Sequence, residues 1–299
     1  MNSHIATVWR RTRRSLGCWL IALLLPVSAA IADPVSDWHA IAEQVVVASE
    51  AHPARAARNM ATVSTAVFET MNFIVGRYEP RSLVKPAQPL GASGEIEGVG
   101  AAHYVLTQLY PDRKDVLDET LERFLVALPD PDAASRARIW GRQLGGTVYA
   151  LSPIDGPMQS AEFAATRTDH RAVAEPWQTR VRRYVDSASH EPIERARIYA
   201  LTSLATSRVY SSVGIKQASK GATNPCIACA VDAAIRTIME RGSKPQSLAR
   251  IGLGHAGERT GPYQVSVSNS AAFSEDAIKA GEDIGRQIGL DILSLYRAR

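Results

Sequence analysis

The chain has 299 residues, of which 21% are charged and 6% aromatic, and carries a formal net charge of +4. Residues 1–32 hold Arg10, Arg11, Arg13 and Arg14 and no acid, so the remainder is close to neutral, which excludes an electrostatic nucleic-acid or membrane-surface function. About 267 residues then remain, enough for one large domain, and abundant Ala, Leu, Ile and Val with few aromatics suit helices packed on helices.

Residues 1–32 read as an export signal. The four arginines form a cationic region, Leu16–Ala30 a short apolar run, and Ala30-Ile31-Ala32 a cleavage site of the A-x-A kind. Thr12-Arg13-Arg14-Ser15-Leu16 is also compatible with a twin-arginine signal. Cys18 does not stand at the end of the run, so no lipid-anchored cysteine is expected. Removal leaves residues 33–299, with no further stretch of spanning length, as an exported periplasmic or secreted protein.

Helical punctuation then recurs in chain order. Ser36 is expected to cap a helix through Ala51, with Trp38, Ile41, Val45 and Ala48 near helical spacing. Pro53 opens a second through Phe73, whose Ala57, Met60, Ala61, Ser64 and Phe68 make a small-residue face suited to a central helix. Ser93, followed by Glu95 and Glu97, starts a third that Pro111 stops after Tyr110. Residues 113–128 form a fourth, and Asp130-Pro131 caps a fifth through Leu151. Residues 152–190 carry Pro153, Gly156, Pro157 and Pro176, show little periodicity, and read as a long irregular connection. Helices resume over Pro192–Val213, Pro225–Arg241, 244–256 and Ser274–Arg297, while Tyr263–Ser268 alternates and suits a short strand or an extended loop. The fold expected is all-α: one helical bundle of about eight to ten helices.

The order of several pieces resembles the vanadium-dependent haloperoxidase and type-2 phosphatidic-acid-phosphatase superfamily, in its bacterial haloperoxidase-like branch. The pieces are Trp38, Pro53 with Arg58, a helix ending in Glu69 and Asn72, Tyr78 with Pro80, Ala101-Ala102-His103 and Leu109-Tyr110-Pro111. A helix with Gly141 and Gly145 that leads to Asp155-Gly156, and the run Arg195–Leu201, continue the likeness. The resemblance implies a helical bundle holding a tetrahedral oxyanion, vanadate or phosphate, with a Lys, two Arg, a Ser, a backbone Gly and two His.

Against that pattern the later residues depart. Lys216 falls within one residue of the expected lysine, but Thr223 stands near the place of the following Arg. Pro225-Cys226-Ile227-Ala228 replaces the Ser, Gly and acid/base His of the next motif, and Ser266, Ser270 and Ala272 stand for Arg, Gly and His of the last. Only its tail matches, in Asp276, Gly281 and Gly285. Hydrogen bonds to charged groups contribute roughly 1.5–3 kcal/mol each, so losing four or five removes on the order of 6–15 kcal/mol of oxyanion stabilisation. Neither vanadate as cofactor nor haloperoxidase activity is expected.

Other residues offer different chemistry. Cys226 and Cys229 form a C-x-x-C at a helix start, with Asn224 as N-cap and Pro225 as first residue, and an oxidising compartment favours their disulfide. Redox catalysis by the pair is the alternative; no second pair completes a zinc site. Gly254-His255-Ala256-Gly257-Glu258-Arg259-Thr260-Gly261 suits either a solvated turn or a pocket with His255 as acid/base and Arg259 as anion holder. Together His255, Arg259 and Lys216 are the candidate catalytic residues. Arg58 and Glu69 suit a buried ion pair near His52 and Arg55, and His103 a satisfied core histidine. Three classes of function follow: a non-catalytic, ligand- or partner-binding descendant of the superfamily, a repurposed enzyme, and a thiol-redox protein.

Overall fold

A computed structural model describes residues 33–50, 53–79, 91–152, 174–187, 190–217, 226–242 and 274–297. The chain divides into two units between Ala32 and Asp33, and everything described belongs to the second. Nine α-helices occur among the described residues, and the fold is all-α. They are α1 (Pro34–Ser49), α2 (Pro53–Val75), α3 (Gly94–Leu109), α4 (Lys114–Val126), α5 (Pro131–Leu151), α6 (Ala174–Ser187), α7 (Pro192–Gln217), α8 (Ile227–Gly242) and α9 (Glu275–Leu293).

Side-chain caps set several of the starts by satisfying N–H groups that a first turn leaves without partners. Asp130 Oδ1 accepts from the Asp132 N–H (2.9 Å) ahead of α5, and Ser274 Oγ from Ala277 N–H (3.2 Å) ahead of α9. Ser274→Ala is expected to lower the unfolding free energy by about 1 kcal/mol in urea denaturation. For α1 the cap is Asp33, whose two carboxylate oxygens accept from Val35 N–H (3.2 Å) and Ser36 N–H (3.3 Å). The expectation that Ser36 caps this helix is corrected: Ser36 lies inside the first turn, buried, with its hydroxyl 3.1 Å from the Tyr199 hydroxyl.

The central helix is α2. It is buried on opposite faces, so it belongs to both apolar cores. Ala57, Phe68 and Met71 join α6, α7, α8 and α9 in one, while Met60, Val63 and Ala66 join α1, α3, α4 and α5 in the other. The end of α2 is fixed by Asn72, whose Oδ1 accepts from Tyr78 N–H (2.8 Å) and whose Nδ2 donates to Tyr78 O (3.1 Å). The Tyr78 hydroxyl donates to Glu194, and the Arg197 guanidinium stacks 4.8 Å above the Tyr78 ring, so the exit from α2 is tied to α7. Thus Asn72 and Tyr78, two pieces of the sequence resemblance, hold a helix–helix junction.

Glycines bring two helix pairs close together. A Cβ on Gly100 would lie 2.0 Å from Ala137 O, and one on Gly141 would lie 2.2 Å from the Gly100 carbonyl carbon, so α3 and α5 meet backbone to backbone. On α9, Cβ atoms on Gly281 and Gly285 would lie 2.4 Å from Cys226 O and 2.0 Å from Ala230 O. Such approach is open only to residues without a side chain.

The expected irregular connection over 152–190 is overturned in part. Its second half is α6, which inserts Trp177, Val181, Tyr184 and Val185 into the core. These four recur at 4, 3 and 1 residue spacings, a helical stripe that Arg180, Arg182, Arg183 and Asp186 obscure. Residues 153–173, the expected helix over 244–256 and the Tyr263–Ser268 segment lie outside the described residues.

Candidate functional site

The residues that the resemblance aligns with an oxyanion site fall, in sequence, at the end of α7 and at the starts of α8 and α9. Cys226 and Cys229 are joined there by a disulfide, and both are buried. Cys226, rather than Asn224, precedes the first turn of α8, which begins two residues later than expected. Its Sγ accepts from Cys229 N–H (3.2 Å) and its carbonyl from Ala230 N–H (3.0 Å), while its own N–H donates to Ala277 O (3.0 Å). One of the N–H groups that a helix start could offer an anion, that of Cys229, is therefore taken by the Cys226 sulfur, and the Cys226 N–H is taken by Ala277.

The neighbouring side chains are Ile227, buried, and Ala228, packed against the same core. A disulfide and two aliphatic groups bring neither positive charge nor an acidic proton to this helix start. Gly281 and Gly285 are occupied in holding α9 against α8, and Asp276 is exposed in the first turn of α9. Lys216 lies in the last turn of α7, and its side chain falls outside the described residues. His255, Arg259, Thr223, Ser266, Ser270 and Ala272 also lie outside them.

A second polar centre escaped the sequence reading. His39 on α1 is buried between three other helices. Its Nε2 is 3.1 Å from the Gln178 amide oxygen on α6, and its Nδ1 is 3.5 Å from Ser64 Oγ on α2. Its ring stacks on Tyr199 of α7 with centroids 3.7 Å apart. Since Nε2–H donates to Gln178, Nδ1 is left to accept from the Ser64 hydroxyl, and Ser203 Oγ lies 3.3 Å beyond it. Burial pushes the His39 imidazole down from 6.5 to about 4, helped by the nearby Arg182 charge, so it is neutral at pH 7. Burial also holds the Tyr199 phenol above its ordinary value.

Hydroxyl, imidazole and amide stand here in nucleophile–base–orienter order. Space decides against substrate access. The crevice beside them, lined by Trp38, Val63, Val67, Ala196 and others, has a volume of about 10 Å³, room for one water. A signal for this centre did exist. Ser36, His39 and Glu43 recur at spacings of three and four on α1 and form a polar stripe on a buried face.

The remaining sequence expectations resolve individually. His103 is bonded through Nε2 to Asp118 (2.8 Å) and meets the Trp38 ring edge-on at 6.2 Å, a satisfied histidine. Arg55 pairs with Glu50 (2.5 Å), and Glu69 is buried on α2. Among the described residues no group of three or more His, Cys, Asp or Glu is placed to hold a metal ion. No described helix is long and apolar enough to cross a membrane. Comparison with family models, curated proteins and solved structures found no match to any of them.

Proposed function

We propose that this chain is an exported helical protein, released by cleavage after Ala32, that descends from the haloperoxidase and acid-phosphatase superfamily and acts by binding instead of by oxyanion chemistry. The observation that carries this reading is the start of α8. There a buried disulfide, Ile227 and Ala228 occupy the place that the resemblance gives to a serine, a glycine and a histidine. In this reading the disulfide is structural: Cys226 caps α8 and anchors it to α9 through Ala277.

Thermal unfolding of the purified protein with orthovanadate or inorganic phosphate tests the reading. A ligand that binds only the folded state raises the transition by mass action, by about 2.7 kcal/mol at a hundred times its Kd. No shift is expected at millimolar anion. A saturable rise in Tm, or oxidation of bromide by the vanadate-treated protein, overturns it.

A further inference from the structure

We propose that His39 is an acid-sensitive latch that holds α6 closed against α1 and α2 at neutral pH and releases it in acid. Polar contacts cross this junction. Gln178 meets His39, Thr179 donates to Glu43 (3.4 Å), and Arg182 pairs with Glu43 (3.2 Å). The apolar face of α6, through Trp177, Val181, Tyr184 and Val185, enters the core shared with α7.

Protonation does not break the hydrogen bonds of His39. Nε2–H still donates to Gln178, and Nδ1–H is accepted by Ser64, whose own proton turns to Ser203. What an imidazolium lacks here is water. The ring is buried against Tyr199, and the adjoining crevice of about 10 Å³ admits one water molecule. Hydrating the charge requires the helices to part, and Gln178 is the contact that must yield.

Among the described residues no carboxylate stands at bonding distance from His39 as a counter-ion. Glu43 on α1 is engaged by Arg182 of α6, and Asp33 by Arg195 of α7 (2.6 Å). Asp37 on α1 is held above its ordinary value by burial and by Asp33 and Asp186, so it too takes up a proton early in acid. Glu95 on α3 behaves in the same way, His103 on α3 is bonded to Asp118, and the Tyr199 phenol stays neutral. The sign follows from the histidine. Unfolded or released His39 binds a proton near pH 6.5 and closed His39 only near 4, so the closed state weakens as pH falls through that window.

Hydrogen exchange by mass spectrometry on the purified protein, corrected for intrinsic rates, tests the latch. Protection of the α6 amides is expected to fall by about a hundredfold between pH 6.5 and pH 4, with α8 and α9 still protected. His39→Asn is expected to abolish the fall. Gln178→Glu, which gives the imidazolium a counter-ion and so narrows the gap between closed and released His39, is expected to shrink the fall. Constant protection of α6, simultaneous loss in α8 and α9, an unchanged fall in His39→Asn, or an undiminished fall in Gln178→Glu each overturns the proposal.

Discussion

Replacing Gly285 with valine is expected to lower the unfolding free energy by about 3 kcal/mol, read as a shift in the urea midpoint at unchanged slope. The added Cβ would sit 2.0 Å from Ala230 O and 2.8 Å from the Ala230 carbonyl carbon, which belong to the backbone of α8 and cannot rotate aside. The helices must separate, and the buried groups along the seam, Ile238 of α8 and Ile288 and Ile292 of α9 among them, lose contact together. Gly281→Val is expected to act similarly at the disulfide end, where its Cβ would lie 2.4 Å from Cys226 O and would disturb the Cys226 bond to Ala277. Gly76 makes the contrast. Nothing lies within 4 Å of a Cβ there, and alanine meets only the penalty of a positive φ of 70°, about 1–2 kcal/mol. A Gly285→Val protein as stable as the parent would remove close α8–α9 packing as the explanation for this glycine.

Phe68→Ala is expected to cost about 3–5 kcal/mol, the range for emptying a large core site. The Phe68 ring is fully buried on α2 and touches two others, Tyr296 edge-on at 4.6 Å and Tyr78 at 5.6 Å. Arg197 links the two tyrosines, stacking on Tyr78 and donating to the Tyr296 carbonyl (3.3 Å). The chain beyond α9 thereby becomes part of the core. Ending the protein at Leu293 should therefore also destabilise it, and less than additively with Phe68→Ala, because both changes remove the same ring contact. Full additivity in equilibrium unfolding would show that Tyr296 does not pack as described.

Much of this architecture was legible in the residues. The bounds of α2, α3 and α5 follow from Pro53, from Ser93 and Pro111, and from Asp130-Pro131, because a proline fits a first turn and stops a preceding helix wherever it stands. The small-residue face of α2 likewise announced a helix buried on both sides. What misled was local competition. Ser36 looked like a cap, yet Asp33 three residues earlier offers two acceptor oxygens, which leaves Ser36 to reach Tyr199. The stripe of α6 was hidden by charges that occupy its other face. The glycines of α9 were assigned to an oxyanion motif from their spacing, and the same spacing serves a helix that must approach another closely. A periodic pattern states which residues share a face and not what that face meets.

By itself the sequence determined the all-α class, the helix starts marked by proline and acidic caps, and the C-x-x-C spacing that puts Cys226 and Cys229 one turn apart. These are properties of residue type and local spacing, fixed before any long-range contact forms. Only the tertiary structure decided that His39, Ser64, Gln178 and Tyr199, drawn from four helices, meet around one buried imidazole. It also decided that Cys226 spends its backbone and its sulfur on α8 and α9. The environment of a polar group, its burial and its neighbours' charge, is set by segments far apart in the chain, so no local pattern can state it.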